Sequence, residues 1–259
     1  VKISFALWLA LATSFADVPP KAPALSPAEA AKTERVRKEA EENYRRGLQL
    51  AEGDGVAKNY AAAANFYRKA AEAGHVAAQY DLAYLYENGL GVTRDCKQAA
   101  YWYRKAAEQG DPEAQNNLGA LYAIGDGVPQ SDAEAVHWYL FAARQGDPEA
   151  TCNLGTMYLQ GRGVAMDFVQ AFQLFRKSAN QGYAVAQNNL ALMYANGQAV
   201  AKDYMWAYAW LDLAATQISG CGELRDRIAQ EMTAEEIARA RILSEKKREE
   251  LAQKAKDSK

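Results

Sequence analysis

Ser244 and Lys247 stand in the Ser-x-x-Lys spacing of an acylating serine nucleophile, an arrangement that invites covalent chemistry. The match lacks the Ser-Asp-Asn and Lys-Thr-Gly companions of such chemistry and falls in a charged terminal segment, so we read it as coincidence. The two histidines, His75 and His137, have no evident catalytic partner, and the clustered Cys or His ligands of a zinc site are not visible. No Gly-x-x-x-x-Gly-Lys phosphate loop and no Gly-x-Ser-x-Gly elbow occurs. Gly-x-Gly pairs are present, but without the third glycine and the preceding strand of a dinucleotide site they read as helix terminators. We expect no catalytic residue, no metal and no cofactor.

Binding chemistry is better represented. Asn117, Asn153 and Asn189 recur at one position, and Asn116 and Asn188 at the position before it. An amide offers donors and an acceptor together, which suits it to hold a peptide backbone or to tie neighbouring elements to each other. The spacing between these asparagines is the period of the whole chain. Gly53 and Gly55 return as Gly89 and Gly91, Gly125 and Gly127, Gly161 and Gly163, and in altered form as Gly197 and Ala199, each time 36 residues on. Such a period marks a stack of small units, each too small to bury its apolar face alone.

Each unit reads as two helices. Asp111-Pro112 and Asp147-Pro148 pair a capping side chain with a proline whose missing N–H costs nothing at a helix start. The apolar stripe that follows is Leu118, Leu121 and Tyr122, repeated as Leu154, Met157 and Tyr158 and as Leu190, Met193 and Tyr194. Gly119 and Gly155, like Ala83 and Ala191, keep a small residue where a neighbouring helix must come close. The paired glycines end the helix, and a valine follows each time (Val56, Val92, Val128, Val164, Val200), which we read as a plug holding the loop to the core. Asn59, Asp95, Ser131, Asp167 and Asp203 then cap a second helix rich in alanine and aromatic residues, among them Tyr67, Trp102, Tyr103, Trp138 and Tyr139. The expected fold is all-α: a right-handed α-solenoid of five 36-residue helix-turn-helix repeats with helical caps at both ends.

The pattern Ala-x-x-x-Leu-Gly-x-x-Tyr, then Gly-x-Gly-Val, an acidic cap and Ala-x-x-Trp-Tyr-x-x-Ala-Ala-x-x-Gly resembles the Sel-like repeats, relatives of the tetratricopeptide repeats. The resemblance covers residues 40–219. It implies that the first helices line a concave groove and that the protein is a non-enzymatic scaffold or regulator gripping a protein or peptide partner. On that reading the groove residues are Tyr80, Tyr84, Glu87, Asn116, Asn117, Asn153, Thr156, Asn188, Asn189 and Leu192, with Ala120 and Leu159 at further variable positions. A cysteine-rich secreted branch of the family, linked to β-lactam binding and hydrolysis, supplies the alternative of a protein acting on cell-wall material. Its repeats carry a disulfide between their two helices; here Cys152 matches the first position but Ala179 stands at the second.

The ends depart from the repeat. Lys2 and the apolar run Ile3–Leu11, followed by Ser14-Phe15-Ala16, read as a signal peptide over residues 1–16, which implies a periplasmic or secreted protein without stable membrane insertion. The apolar run is shorter than the roughly 20 residues that span a bilayer. Residues 17–26 read as a proline-rich linker and 27–39 as an N-terminal capping helix opened by Ser26-Pro27-Ala28-Glu29. Residues 220–259 read as two further helices ending in a charged tail. A net charge of −2 gives no chain-wide basic field, so no nucleic-acid partner is expected. Cys96 and Cys152 are separated by two helices and are not expected to bridge.

Overall fold

In the computed structural model, residues 26–257 are described, and among them all regular structure is α-helical. The proposed signal peptide, most of the linker and the last two residues lie outside this range. Helix α1 (Pro27–Glu52) precedes five second helices, α2 (Tyr60–Glu72), α4 (Cys96–Glu108), α6 (Asp132–Arg144), α8 (Phe168–Ala179) and α10 (Tyr204–Ala214). They alternate with four first helices, α3 (Val76–Asn88), α5 (Pro112–Ile124), α7 (Pro148–Gln160) and α9 (Ala184–Asn196). Helices α11 (Cys221–Ala229) and α12 (Ala234–Asp257) follow. From α1 to α11 each helix packs on its neighbours in the chain, the arrangement of an α-solenoid, and α12 returns to pack on α10.

Local chemistry sets the helix ends. Asp111 and Asp147 accept the N–H groups of Ala114 and Ala150 at 2.7 and 2.6 Å. His75 does the same task in α3, its Nδ1 accepting from the Ala78 N–H at 3.2 Å. That leaves the proton on Nε2, which donates to Glu41 at 3.1 Å. Tyr183, at the equivalent place before α9, makes no side-chain cap. All five expected caps of the second helices accept a backbone N–H. The cap residue's own N–H also reaches back to the first helix, as in Asp95 to Tyr86 at 2.9 Å and Ser131 to Tyr122 at 2.9 Å, closing each loop.

The small residues of the first helices face the second helix of the same repeat. A methyl group on Gly119 would lie 2.8 Å from the Tyr139 ring, and one on Gly155 would lie 2.9 Å from Phe175. Tyr67, Tyr103 and Tyr139 are buried in one cluster rich in alanine and leucine, and Phe175 and Leu211 in a second that follows it along the chain. Val92, Val128, Val164 and Val200 pack against that core as loop plugs. Val56 does not, because no repeat precedes it, and it is exposed.

Buried glutamines, which periodicity did not single out, lock one repeat to the next. Gln79 and Gln115 donate to the carbonyls of Ala71 and Ala107, and accept from Gln109 and Gln145 of the following turn at 2.7 and 2.9 Å. Gln187 makes the first bond, to Ala179, but its Oε1 has no partner, although Gln217 stands where Gln109 and Gln145 stand in the earlier repeats.

The N-terminal helix runs unbroken from Pro27 to Glu52, so the expected cap over 27–39 and the first helix of the first repeat are one element. Its capping box forms, with Ser26 and Glu29 bonded in both directions. At the other end α12 lies on α10, burying Ala240 and Ser244. Asp212 of α10 joins the cap elements, accepting from Arg225 at 2.7 Å, Arg248 at 3.0 Å and the Ser244 hydroxyl. Burial opposes the charge on Asp212, but these donors hold its carboxyl below the usual range.

Candidate functional site

The Ser244–Lys247 pair does not form a nucleophile. Ser244 is 1% exposed and donates to Asp212, while Lys247 pairs with Glu250 at 2.7 Å and lies over the Trp210 ring. Cys96, Cys152 and Cys221 are free thiols, all buried, and burial pushes the Cys152 thiol up to about 12. Among the described residues no His, Cys, Asp or Glu cluster is suited to hold a metal, and no helix is long and apolar enough to cross a membrane.

The asparagine rows lie where neighbouring first helices meet. Asn153 of α7 donates to Asn116 of α5 at 2.9 Å, and Asn189 of α9 approaches Cys152 of α7 at 3.7 Å. Asn117 of α5 lies near the hydroxyls of Tyr80 on α3 and Tyr103 on α4. Each second-row amide therefore reaches back one repeat. Asn116, expected on the open groove, is 4% exposed and engaged by Asn153 and Asn117, so it belongs to the joint between repeats. Asn188 is partly buried and accepts from the Cys221 thiol at 3.6 Å. Replacing Asn116 with alanine should lower stability by about 1–2 kcal/mol, because Asn153 loses its acceptor. A thermal melt reads this, and an unchanged midpoint would show that the joint does not depend on the amide.

Tyr84, on the same face of α3 as Tyr80 and Glu87, is 45% exposed. Thr156 and Leu192 are partly exposed, Thr156 donating back to the Cys152 carbonyl at 3.2 Å. Around Tyr84 lies a cluster of hydroxyls and carboxylates. Tyr103 donates to Glu87 at 2.7 Å, and its ring is 5.6 Å from that of Tyr80, which itself meets Glu113. The hydroxyls of Tyr44 and Tyr67 lie near the Asp81 carboxyl. Burial pushes the Asp81 carboxyl up to about 6; the two tyrosines oppose that, and the Glu113 charge adds to it. Burial likewise raises the hydroxyls of Tyr67, Tyr80 and Tyr103, so they are donors at neutral pH.

One signal that finds this cluster is a one-sided composition. Helices α3, α5, α7 and α9 contain Asp81, Glu87, Glu113 and Glu149 but no lysine or arginine, in a chain with 30 of them. The second helices carry the cations instead, such as Arg68, Lys69, Arg104 and Lys105. The first-helix face is thus apolar, amide-bearing and acidic. Its exposure is uneven: Tyr84 is open to solvent, while Asp81 and Glu87 are partly buried and the Tyr67 and Tyr103 rings lie in the core.

The comparisons agree with this geometry. The Sel1 repeat model matches residues 41–75, 76–111, 112–147, 148–183 and 184–219. The chain is similar to c5321, a protective antigen of uropathogenic Escherichia coli strains displaying an SLR fold, with 37% identity and a TM-score of 0.77 over 88% of this chain and 50% of that one. This chain thus spans half the length of c5321. It is also similar to a Sel1 repeat protein from Oxalobacter formigenes, with 34% identity and a TM-score of 0.67 over 73% of this chain and 79% of that one. No curated protein matches the sequence. Five matched repeats, built as capped helix pairs and joined through amides on their first helices, make this chain a member of the Sel1 repeat family.

Proposed function

We propose that this chain, a protein-interaction scaffold as Sel1 repeat proteins are, is an exported, non-enzymatic scaffold or regulator that holds a segment of a protein partner along the face of its first helices. The observation that carries this reading is the row on α3 where exposed Tyr84 and partly exposed Tyr80 and Glu87 share one face at helical spacing while the core residues Leu82, Ala83 and Leu85 point the other way. Partly exposed Asn117, Asn153, Thr156, Asn189 and Leu192 continue that row through the later repeats. Export rests on Lys2 and the apolar run Ile3–Leu11, and it places the partner in the periplasm or outside the cell.

The test is a photocrosslinking amino acid placed at Tyr84, and in a second variant at Tyr101 on the exposed side of α4. Illumination of the native host's cells should yield one protein adduct from the Tyr84 variant, recovered in the periplasmic or secreted fraction. An adduct formed only from Tyr101 would move the binding surface to the second helices. An adduct confined to the cytoplasm would remove export from the proposal.

A further inference from the structure

The nearest cation to the acidic face of α3 and α5 is Arg94, which donates to the Glu87 backbone carbonyl at 2.9 Å but gives its ion pair to Asp126 at 2.7 Å. None of Asp81, Glu87, Glu113 and Glu149 forms an ion pair with a lysine or arginine among the described residues. Arg37, Lys38, Arg45, Arg94, Arg162, Arg225, Arg239, Lys247 and Arg248 find their carboxylates elsewhere. Three of the four acids are linked through Tyr80: its ring lies 5.6 Å from that of Tyr103, tilted at 57°, Tyr103 donates to Glu87 at 2.7 Å, and Asp81 and Glu113 are within electrostatic reach of the Tyr80 hydroxyl. Tyrosine hydroxyls partly solvate these charges but do not neutralise them. Uncompensated carboxylates on a half-buried wall create a field that attracts a counter-charge from the partner. Beside them the exposed Tyr84 ring offers a face on which a cation can rest.

We infer that the patch formed by Asp81, Tyr84, Glu87 and Glu113 takes a lysine or arginine side chain from a basic, extended segment of the partner. This deepens the groove reading proposed above and rests on it. The segment lies across α3 and α5, its cation over Tyr84 and between Glu87 and Glu113. Asp81 sits deeper, below the tyrosine hydroxyls, and adds charge without direct contact. Arginine or lysine serves equally at this level, since the patch supplies several separate acceptors rather than one bidentate carboxylate.

The experiment uses the full chain and three fluorescein-labelled decapeptides, of alternating glycine with lysine, with serine or with glutamate, titrated by fluorescence anisotropy. The lysine peptide should bind, and the Glu87→Gln/Glu113→Gln double variant should weaken it about tenfold while its melting midpoint stays close to that of the parent. The control Glu108→Gln on the second helix α4 should leave binding unchanged. A second variant, Ala120→Lys, sets a fixed cation on the α5 face and should also weaken the lysine peptide severalfold. Raising salt from low to physiological strength should weaken the lysine peptide further, as screening requires. Equal binding of the serine or glutamate peptide would overturn the charge preference while leaving a peptide groove in place. Lysine-peptide binding that ignores Glu87→Gln/Glu113→Gln, or is absent altogether, would also overturn it. The groove reading itself is decided separately by the Tyr84 crosslink, which does not depend on the partner's charge.

Discussion

Replacing Gly127 with alanine is expected to lower stability by about 3 kcal/mol, whereas the same change at Gly55 should cost only about 1 kcal/mol. Both glycines hold positive φ, 75° at Gly127 and 67° at Gly55, so alanine is strained at either position. The difference lies in what surrounds them. A methyl on Gly127 would stand 2.0 Å from the carbonyl oxygen of Cys96 and 2.3 Å from its carbonyl carbon, in the preceding repeat. Backbone cannot swing aside as a side chain can, so the two repeats must separate. Nothing lies within 4 Å of a methyl on Gly55, because no repeat precedes that loop. Denaturant midpoints of the two variants against the parent measure the contrast, and equal losses would mean that strain alone governs the loop. Ala199 gives a converse case. It holds φ 65° at the corresponding place in the last repeat, and Ala199→Gly should stabilise by about 0.5–1 kcal/mol.

Gly119→Leu should cost roughly 3 kcal/mol, while Gln130→Leu should stay within about 0.5 kcal/mol. Gly119 is a helix-interior residue whose Cβ position is already 2.8 Å from the Tyr139 ring and 3.3 Å from the Ala135 carbonyl. A leucine there drives Tyr139 out of the core or parts α5 from α6, which are packed along their whole length. Gln130 is exposed in the loop before α6, and its one side-chain bond, to the Ala123 carbonyl, is 3.2 Å long at the surface. For a domain of this size the larger loss corresponds to a fall of roughly 6–12 °C in melting temperature. Similar melts for both variants would show that the face of α5 carrying Gly119 does not meet α6 as described.

The sequence by itself determined what depends on short-range backbone chemistry. Capping needs an acceptor side chain within a few residues of free N–H groups, so Asp95, Ser131, Asp167 and Asp203 could be assigned as helix starts without knowing their neighbours. The glycine pairs mark the turns for the same reason, since positive φ is a property of one residue. Recurrence every 36 residues then required that identical pairs stack. The tertiary structure alone decided which of two adjacent amides is fully buried. Asn116 and Asn117 are chemically identical and one helical step apart, and only the rotation of α5 against α7 turns Asn116 into the joint, where Asn153 meets it. The same holds for the acidic face. That α3, α5, α7 and α9 lack cations can be counted in the sequence, but Tyr103 reaching across from α4 to Glu87, and Tyr44 and Tyr67 reaching Asp81, are contacts between helices. Such contacts depend on packing distance and angle, which no local rule specifies, and they turn scattered carboxylates into one patch.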